Sequence, residues 1–271
     1  MNVIKTDNFG EVEMFQLGYS PVGQPLMSVI MYVVDELVID TAQHHMANPV
    51  RGILEKKNLN RIILTHHHED HSGNASMISS RHSIPVMGHP LTAMKLNSGF
   101  SILPYQHWVW GKSPPVSVIP LPDVVETLRF KLTPVHTPGH SKDHVVFIEK
   151  QQGWLFSGDL FLGERIKFFR SDEHFGDQIA SLKKVLALEF DTLFCAHNPS
   201  FKNGKKKIKN KLQFLEDLYG KVRELTEKGH PDKAVIKALD PKNDRGIKWV
   251  TMGNASFANM VRSAIASIRG R

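Results

Sequence analysis

The sequence holds a single cysteine, Cys195, in 271 residues. No intrachain disulfide can form, and such usage fits a reducing compartment. Long apolar runs are missing as well. The longest near the start, Val29 to Val34, is far too short to span a bilayer. The opening MNVIKTDNFGEVE is polar and lacks the apolar stretch of a secretory leader. Internal repeats are absent, and Lys205-Lys206-Lys207 is the one low-complexity patch. These absences predict a soluble, cytoplasmic protein with no membrane partner. Its oligomeric state is not legible.

Net charge is +7, unevenly placed. From Phe201 to Arg271 there are 17 Lys and Arg against 7 Asp and Glu, while the first 200 residues carry 17 against 20. A basic tail can attract phosphorylated partners, though charge runs more often mark a solvated helix face.

Through the first 200 residues, short β-rich runs alternate with helical patterns. Val29 to Val34 followed by Leu37 to Ile39 predicts a hairpin, and Arg61 to Thr65 a buried strand. Further strands are expected at 85–87, 128–135, 145–148, 154–156 and 193–196, and helices at 46–55, 74–80 and 177–188. This interleaving predicts an α/β fold. Beyond residue 200, Ile208, Leu212, Leu215, Tyr219, Val222 and Leu225 form one stripe of a long amphipathic helix. Shorter helices are expected at 233–239 and 256–268. The division read from this is a catalytic domain over 1–200, with a basic helical extension over 201–271 packed on it.

The densest chemistry follows the strand at Arg61: Thr65-His66-His67-His68-Glu69-Asp70-His71-Ser72-Gly73. Imidazoles suit zinc and similar transition metals, and a carboxylate adds a hard anionic ligand. On an extended backbone His66 and His68 point the same way. Asp70 and His71 fall where the chain turns towards a helix, so two adjacent metal sites can share this loop. By the same alternation His67 and Glu69 are expected to point outward. Cys195, in an apolar run, reads as a packing residue.

The pattern His66-x-His68-x-Asp70-His71 resembles that of the metallo-β-lactamase superfamily. Other elements follow the family's order: Val38-Ile39-Asp40-Thr41, Thr137-Pro138-Gly139-His140-Ser141, Phe156-Ser157-Gly158-Asp159 and Phe194-Cys195-Ala196-His197. The resemblance covers roughly residues 10 to 200. It implies a four-layer αβ/βα sandwich with a C-terminal helical extension. It implies one metal at His66, His68 and His140, a second at Asp70, His71 and His197, and Asp159 between them. Asp40, and more weakly His144, would orient these ligands. Many family members have Gly-His-Gly at the last histidine, where this chain has Ala196-His197-Asn198.

What the resemblance implies for function is a hydrolase with two divalent ions, zinc first and iron or manganese compatible. Its nucleophile would be a hydroxide bridged by both ions, with Asp70 and Asp159 as the catalytic carboxylates. The motif style is similar to the β-lactamase-like protein 2 and glyoxalase II-like branches. The substrate expected is a small ester, thioester or lactone. A single-strand endoribonuclease or other phosphodiesterase is the alternative, since the basic tail would suit RNA. A non-catalytic metal-binding interaction protein is a third reading. Arg165, Lys167 and Arg170 lie near the expected mouth of the site, and the aromatic-rich stretch 96–115 is expected to cover it.

Overall fold

Val29 to Val34 is apolar at every position, and that pattern places it between two layers. The computed structural model of the chain describes residues 1–240 and 245–270; positions 241–244 and 271 of the expected tail lie outside the described residues. In it Val29, Met31 and Val33 pack on one side of this strand with helix residues Val50, Leu54 and Ile78. Ile30, Tyr32 and Val34 pack on the other side with Phe147, Phe156 and Phe194 of a second sheet. A strand covered on both faces reads as a continuous hydrophobic run.

The first sheet has seven strands in chain order: β1 (Asn2–Phe9), β2 (Val12–Tyr19), β3 (Val29–Val34), β4 (Leu37–Ile39), β5 (Arg61–Ile63), β6 (Val86–Gly88) and β7 (Val118–Pro120). Pairing is antiparallel through β4 and parallel from β4 to β7. The crossovers carry α1 (Ala47–Leu54), α2 (Glu69–Ser72), α3 (Ala75–His82), α4 (Pro90–Leu96) and α5 (Pro104–Val109). The second sheet contains β8 (Val125–Glu126), β9 (Lys131–His136), β10 (Val145–Glu149), β11 (Trp154–Gly158) and, paired parallel to β11, β13 (Thr192–Cys195). Between β11 and β13 come β12 (Phe169–Arg170) and α6 (Phe175–Leu186).

After β13 the chain forms α7 (Gly204–Glu227), α8 (Asp232–Leu239), α9 (Arg245–Val250), β14 (Ala255–Ser256) and α10 (Phe257–Ile268). The outer face of the second sheet, through Val146, Ile148, Leu155 and Leu193, packs with Leu182 of α6, Leu215 of α7 and Met260 of α10. The four layers are thus helices, sheet, sheet, helices. The amphipathic stripe read from the sequence is the face that α7 buries. Among the described residues no helix is long and apolar enough to cross a membrane.

The hairpin of β1 and β2 is absent from the sequence reading. The residues of β1 pair along an edge where their side chains are largely exposed, so Lys5 and Asp7 sit in a strand without apolar alternation. Gly10, at φ +57°, makes the tight turn between the two strands.

The sheets also touch through main chain. Ile30 N–H of β3 donates to Ala196 O (2.7 Å), Tyr32 O–H donates to Cys195 O (2.6 Å), and Val145 N–H of β10 donates to Thr65 O (2.8 Å). Phe194 is the hub of the layer between them. It stacks on Phe156 at 4.7 Å and meets Tyr32, Trp154, Phe9 and Phe201. Phe194→Ala should therefore cost about 3–5 kcal/mol of folding free energy. Denaturant midpoints measure it, and a loss near zero would mean the layer does not depend on this ring.

Candidate metal centre

Each candidate ligand, like Asp40 expected behind them, leaves the end of a β-strand. Asp40 follows β4, His66 to His71 follow β5, His140 follows β9, Asp159 follows β11 and His197 follows β13. All of them except His197 are buried, and its side chain is 8% exposed. The structure brings all seven expected ligands together. Three donor sets could hold a metal ion, each with its atoms within 4.8 Å of one another: His66, His68 and His140; His66, His71 and Asp159; Asp70, His71 and His197.

The nitrogens that converge are specific. His66 Nε2 lies 2.9 Å and His140 Nε2 3.0 Å from His68 Nδ1. Asp159 turns one oxygen to each side: Oδ1 is 3.3 Å from both His71 Nε2 and His197 Nε2, and Oδ2 is 3.3 Å from His140 Nε2. Asp70 Oδ2 stands 3.5 Å from His197 Nε2 and 3.8 Å from His71 Nε2.

The ring orientations come from a set of partners behind the ligands. Asp40 accepts from Thr65 N–H, Thr65 Oγ1–H and His71 Nδ1–H, each at 2.8 Å. With its proton given to Asp40, Thr65 Oγ1 can accept from His66 Nδ1–H at 3.0 Å. His197 Nδ1–H donates to Ser28 O at 2.7 Å. In all three rings Nδ1 carries the proton and Nε2 keeps its lone pair for the centre. His144 plays a related part: its Nε2 accepts from Asp159 N–H at 3.1 Å, while Nδ1–H donates to Thr137 Oγ1 at 2.9 Å. Burial, then the neighbouring His140, lowers His144 to about 3, so the neutral acceptor form persists.

Backbone geometry supports this placement. Asp40 and Ala42 sit at φ +58° and +57°, in the left-handed region that non-glycine residues seldom occupy. Gly158, at φ +46°, packs so tightly that a Cβ would lie 2.8 Å from His144 Nε2 and 2.9 Å from Thr65 Cβ. A side chain there would push Asp159 off its position.

Electrostatics separates the ligands into two groups. Burial, reinforced by surrounding imidazoles and, for His68, by Arg170, holds His66 and His68 well below the usual histidine range. Burial also opposes charge on His71 and His197, but the Asp159 and Asp70 carboxylates outweigh it and raise both well above that range. In return, burial of Asp159 is overcome by His197, His71 and His140, and the carboxyl is held well below its ordinary value. A cation set between these rings and the carboxylates would answer the same negative charge. His71 Nε2 and Asp159 Oδ1 are buried and have no hydrogen-bond partner among the described residues. Orphaned donor atoms of nitrogen and carboxylate type facing one another fit a divalent metal.

One sequence expectation fails here. Glu69 does not point outward: it is 1% exposed, accepts from Gln106 Nε2 at 3.1 Å and has its carboxyl raised by burial. The alternation ends at His68, which caps α2, so Glu69 already follows the helical rotation. His67 is half-buried rather than outward, because Asp143 accepts from both its N–H and its Nδ1 at 2.9 Å. Asp143 also accepts from Thr92 Oγ1 at 2.7 Å and so ties the first histidine loop to the loop bearing His140. The sequence reading missed Thr65, Asp143 and Glu173, whose Oε1 is 3.5 Å from His140 Nδ1. Asp143 alone carried a signal, its place three residues after His140.

A cleft of about 300 Å³ opens onto the centre. Its floor is His68, Asp70, His140, Asp159 and His197; its walls include Leu26, Met27, Val109, Trp110, Leu162 and Phe168. The tail supplies another wall, Ile247, Val250, Thr251 and Ala255. That wall is fixed by the pairing of β12 with β14 and by Asn254 Nδ2–H donating to Tyr105 Oη at 2.7 Å. Of the three basic residues expected near the mouth, Arg170 lines this cleft, whereas Arg165 lines a different groove with Asn210 and Lys221, and Lys167 is exposed. Asp40→Asn would keep size but lose an acceptor for His71 or Thr65. It should weaken metal binding by about 10–100-fold, measured by titration of metal-free protein, and unchanged affinity would remove Asp40 from this role.

Residues 25–197 match the sequence model of the Metallo-beta-lactamase superfamily. A hydroxyacylglutathione hydrolase of Hahella chejuensis is 31% identical over 62% of this chain and 59% of its own length. An atrochrysone carboxyl ACP thioesterase of Claviceps purpurea is 25% identical over 80% of this chain and 60% of its own. The chain spans little more than half the length of the curated relatives it matches. In fold, it is similar to a metallo-beta-lactamase family protein from Thermus thermophilus, with a TM-score of 0.68, 18% identity and coverage of 97% and 95% of the two chains. With a family match over more than half its length, on the segment that carries every candidate ligand, the chain belongs to the metallo-beta-lactamase superfamily.

Proposed function

We propose that the chain is a hydrolase of small acyl esters or thioesters, working with two divalent metal ions. His66, His68 and His140 would hold one ion, Asp70, His71 and His197 the other, with Asp159 shared between them. The observation that carries the reading is Asp159, whose two oxygens face the two nitrogen clusters at 3.3 Å each. Zinc suits the donor set, and iron or manganese would also fit it. When bound, such ions supply an acidified water and a Lewis acid for the substrate carbonyl.

The residues do the rest. Asp70, at the cleft floor, would hold the proton given up by the attacking water and return it to the departing sulfur or oxygen. Asp40, Thr65 and Ser28 keep the rings from turning as charge develops. Val109, Trp110, Leu162 and Phe168 exclude water around the acyl chain. Arg170, among the described residues the one Lys or Arg lining the cleft and held by Asp172 through Nε and one terminal nitrogen, would meet a polar substrate group there. No serine or cysteine nucleophile is required, and Cys195 is buried in the core of the second sheet.

The apolar walls favour an acyl group over a polyanionic strand. Some of these side chains reach the surface as an apolar rim: Leu26 is 74% and Val250 39% exposed. The lysines that suggested RNA are elsewhere. Lys205 and Lys206 line a groove with Leu186 and Glu216, and Lys205 and Lys207 pair with Glu189 and Glu164. Relatives described as a hydroxyacylglutathione hydrolase and an ACP thioesterase agree with an acyl substrate.

The deciding assay gives metal-loaded protein an ester, thioester and lactone panel and, in parallel, a single-stranded RNA. Metal-dependent turnover of the acyl compounds is expected, with His68→Ala losing activity and metal together. Cleavage of RNA alone would overturn the substrate reading, and wild-type turnover by His68→Ala would overturn the ligand assignment.

A further inference from the structure

Helix α7 buries a lysine. Lys211 is 1% exposed and lies on the inner stripe between Ile208 and Leu215. An ammonium there is costly unless its hydrogens find acceptors. Among the described residues its one hydrogen-bond acceptor is Leu160 O, at 2.5 Å. Leu160 is the residue directly after Asp159.

The short segment around Asp159 is held from several sides. Asp159 N–H is taken by His144, Leu160 N–H donates to Ser157 O at 3.0 Å, and Phe161 O accepts from the Cys195 thiol. Lys211 closes the remaining side. We propose that Lys211 is a positioning residue for the metal centre: from the tail helix, through Leu160 O, it fixes the turn that aims both oxygens of Asp159. The inference rests on the two-metal reading above. Burial, partly offset by Glu173, lowers the Lys211 ammonium to about 8. A neutral amine donates to the same carbonyl, so the strut does not depend on charge. Without it, Leu160 O becomes a buried carbonyl with no partner among the described residues, and the turn is free to shift towards one that satisfies it.

The test is titration of metal-free protein with Co²⁺, following affinity and the visible absorption of the bound ion. Lys211→Met keeps length and fills the space with apolar atoms, so the fold should hold. It is expected to weaken Co²⁺ binding by about 10–100-fold, the range for partners standing behind metal ligands, and to change the spectrum. Lys211→Arg retains a donor and should return both towards wild type. Val222→Ala, on the same buried face of α7, should lower stability while leaving Co²⁺ affinity and spectrum unchanged. Unaltered binding and spectrum in Lys211→Met would overturn the inference, as would tighter binding, which would mark the ammonium as a repelling charge. Equal weakening in Val222→Ala would reduce Lys211 to general packing. Wild-type protein that binds no Co²⁺ would overturn the metal reading itself, and this inference with it.

Discussion

Two carboxylate oxygens of Asp40 set the geometry on which the centre depends. They accept three hydrogen bonds from the strand-end residue Thr65 and the ring of His71. Through the Thr65 hydroxyl the same carboxylate reaches the ring of His66. One buried carboxylate thereby fixes two of the candidate imidazoles, together with the first residue of the histidine loop. The left-handed backbone at Asp40 is the conformational cost of placing that anion under the loop.

The remaining ligands reach the same point because the sheets do. Main-chain hydrogen bonds from Ile30 to Ala196 and from Val145 to Thr65 join the two sheets where β5 and β13 end. The aromatic layer around Phe194 keeps their inner faces in register. Packing in the sandwich and geometry at the centre are therefore one problem, since a shift between the sheets would separate His197 from His71.

The expected donor residues are brought together most plainly where chemistry is concentrated in consecutive positions. The cluster of His66, His68, Asp70 and His71 is legible because a surface loop has little use for four side chains of metal-binding type in six positions. Strand β3 is legible because burial on both faces leaves a continuous apolar run. Thr65, Asp143 and Glu173 were not legible, because each is an ordinary polar residue until the fold brings it to a ligand. Glu69 was misread because a period of two was carried one residue past the start of a helix. Strand β1 was missed because its pairing, and not its side-chain pattern, makes it a strand. The tail was legible as amphipathic helix, but its wall in the cleft, held by two residues of β14 pairing with two of β12, carries no local signature.

The wall contributed by Ile247, Val250, Thr251 and Ala255 stands far along the chain from every ligand. Part of the cleft wall is thus written in a different part of the sequence from the donor residues. Substitutions at these tail positions would reshape the cleft and leave the donor residues at the strand ends in place.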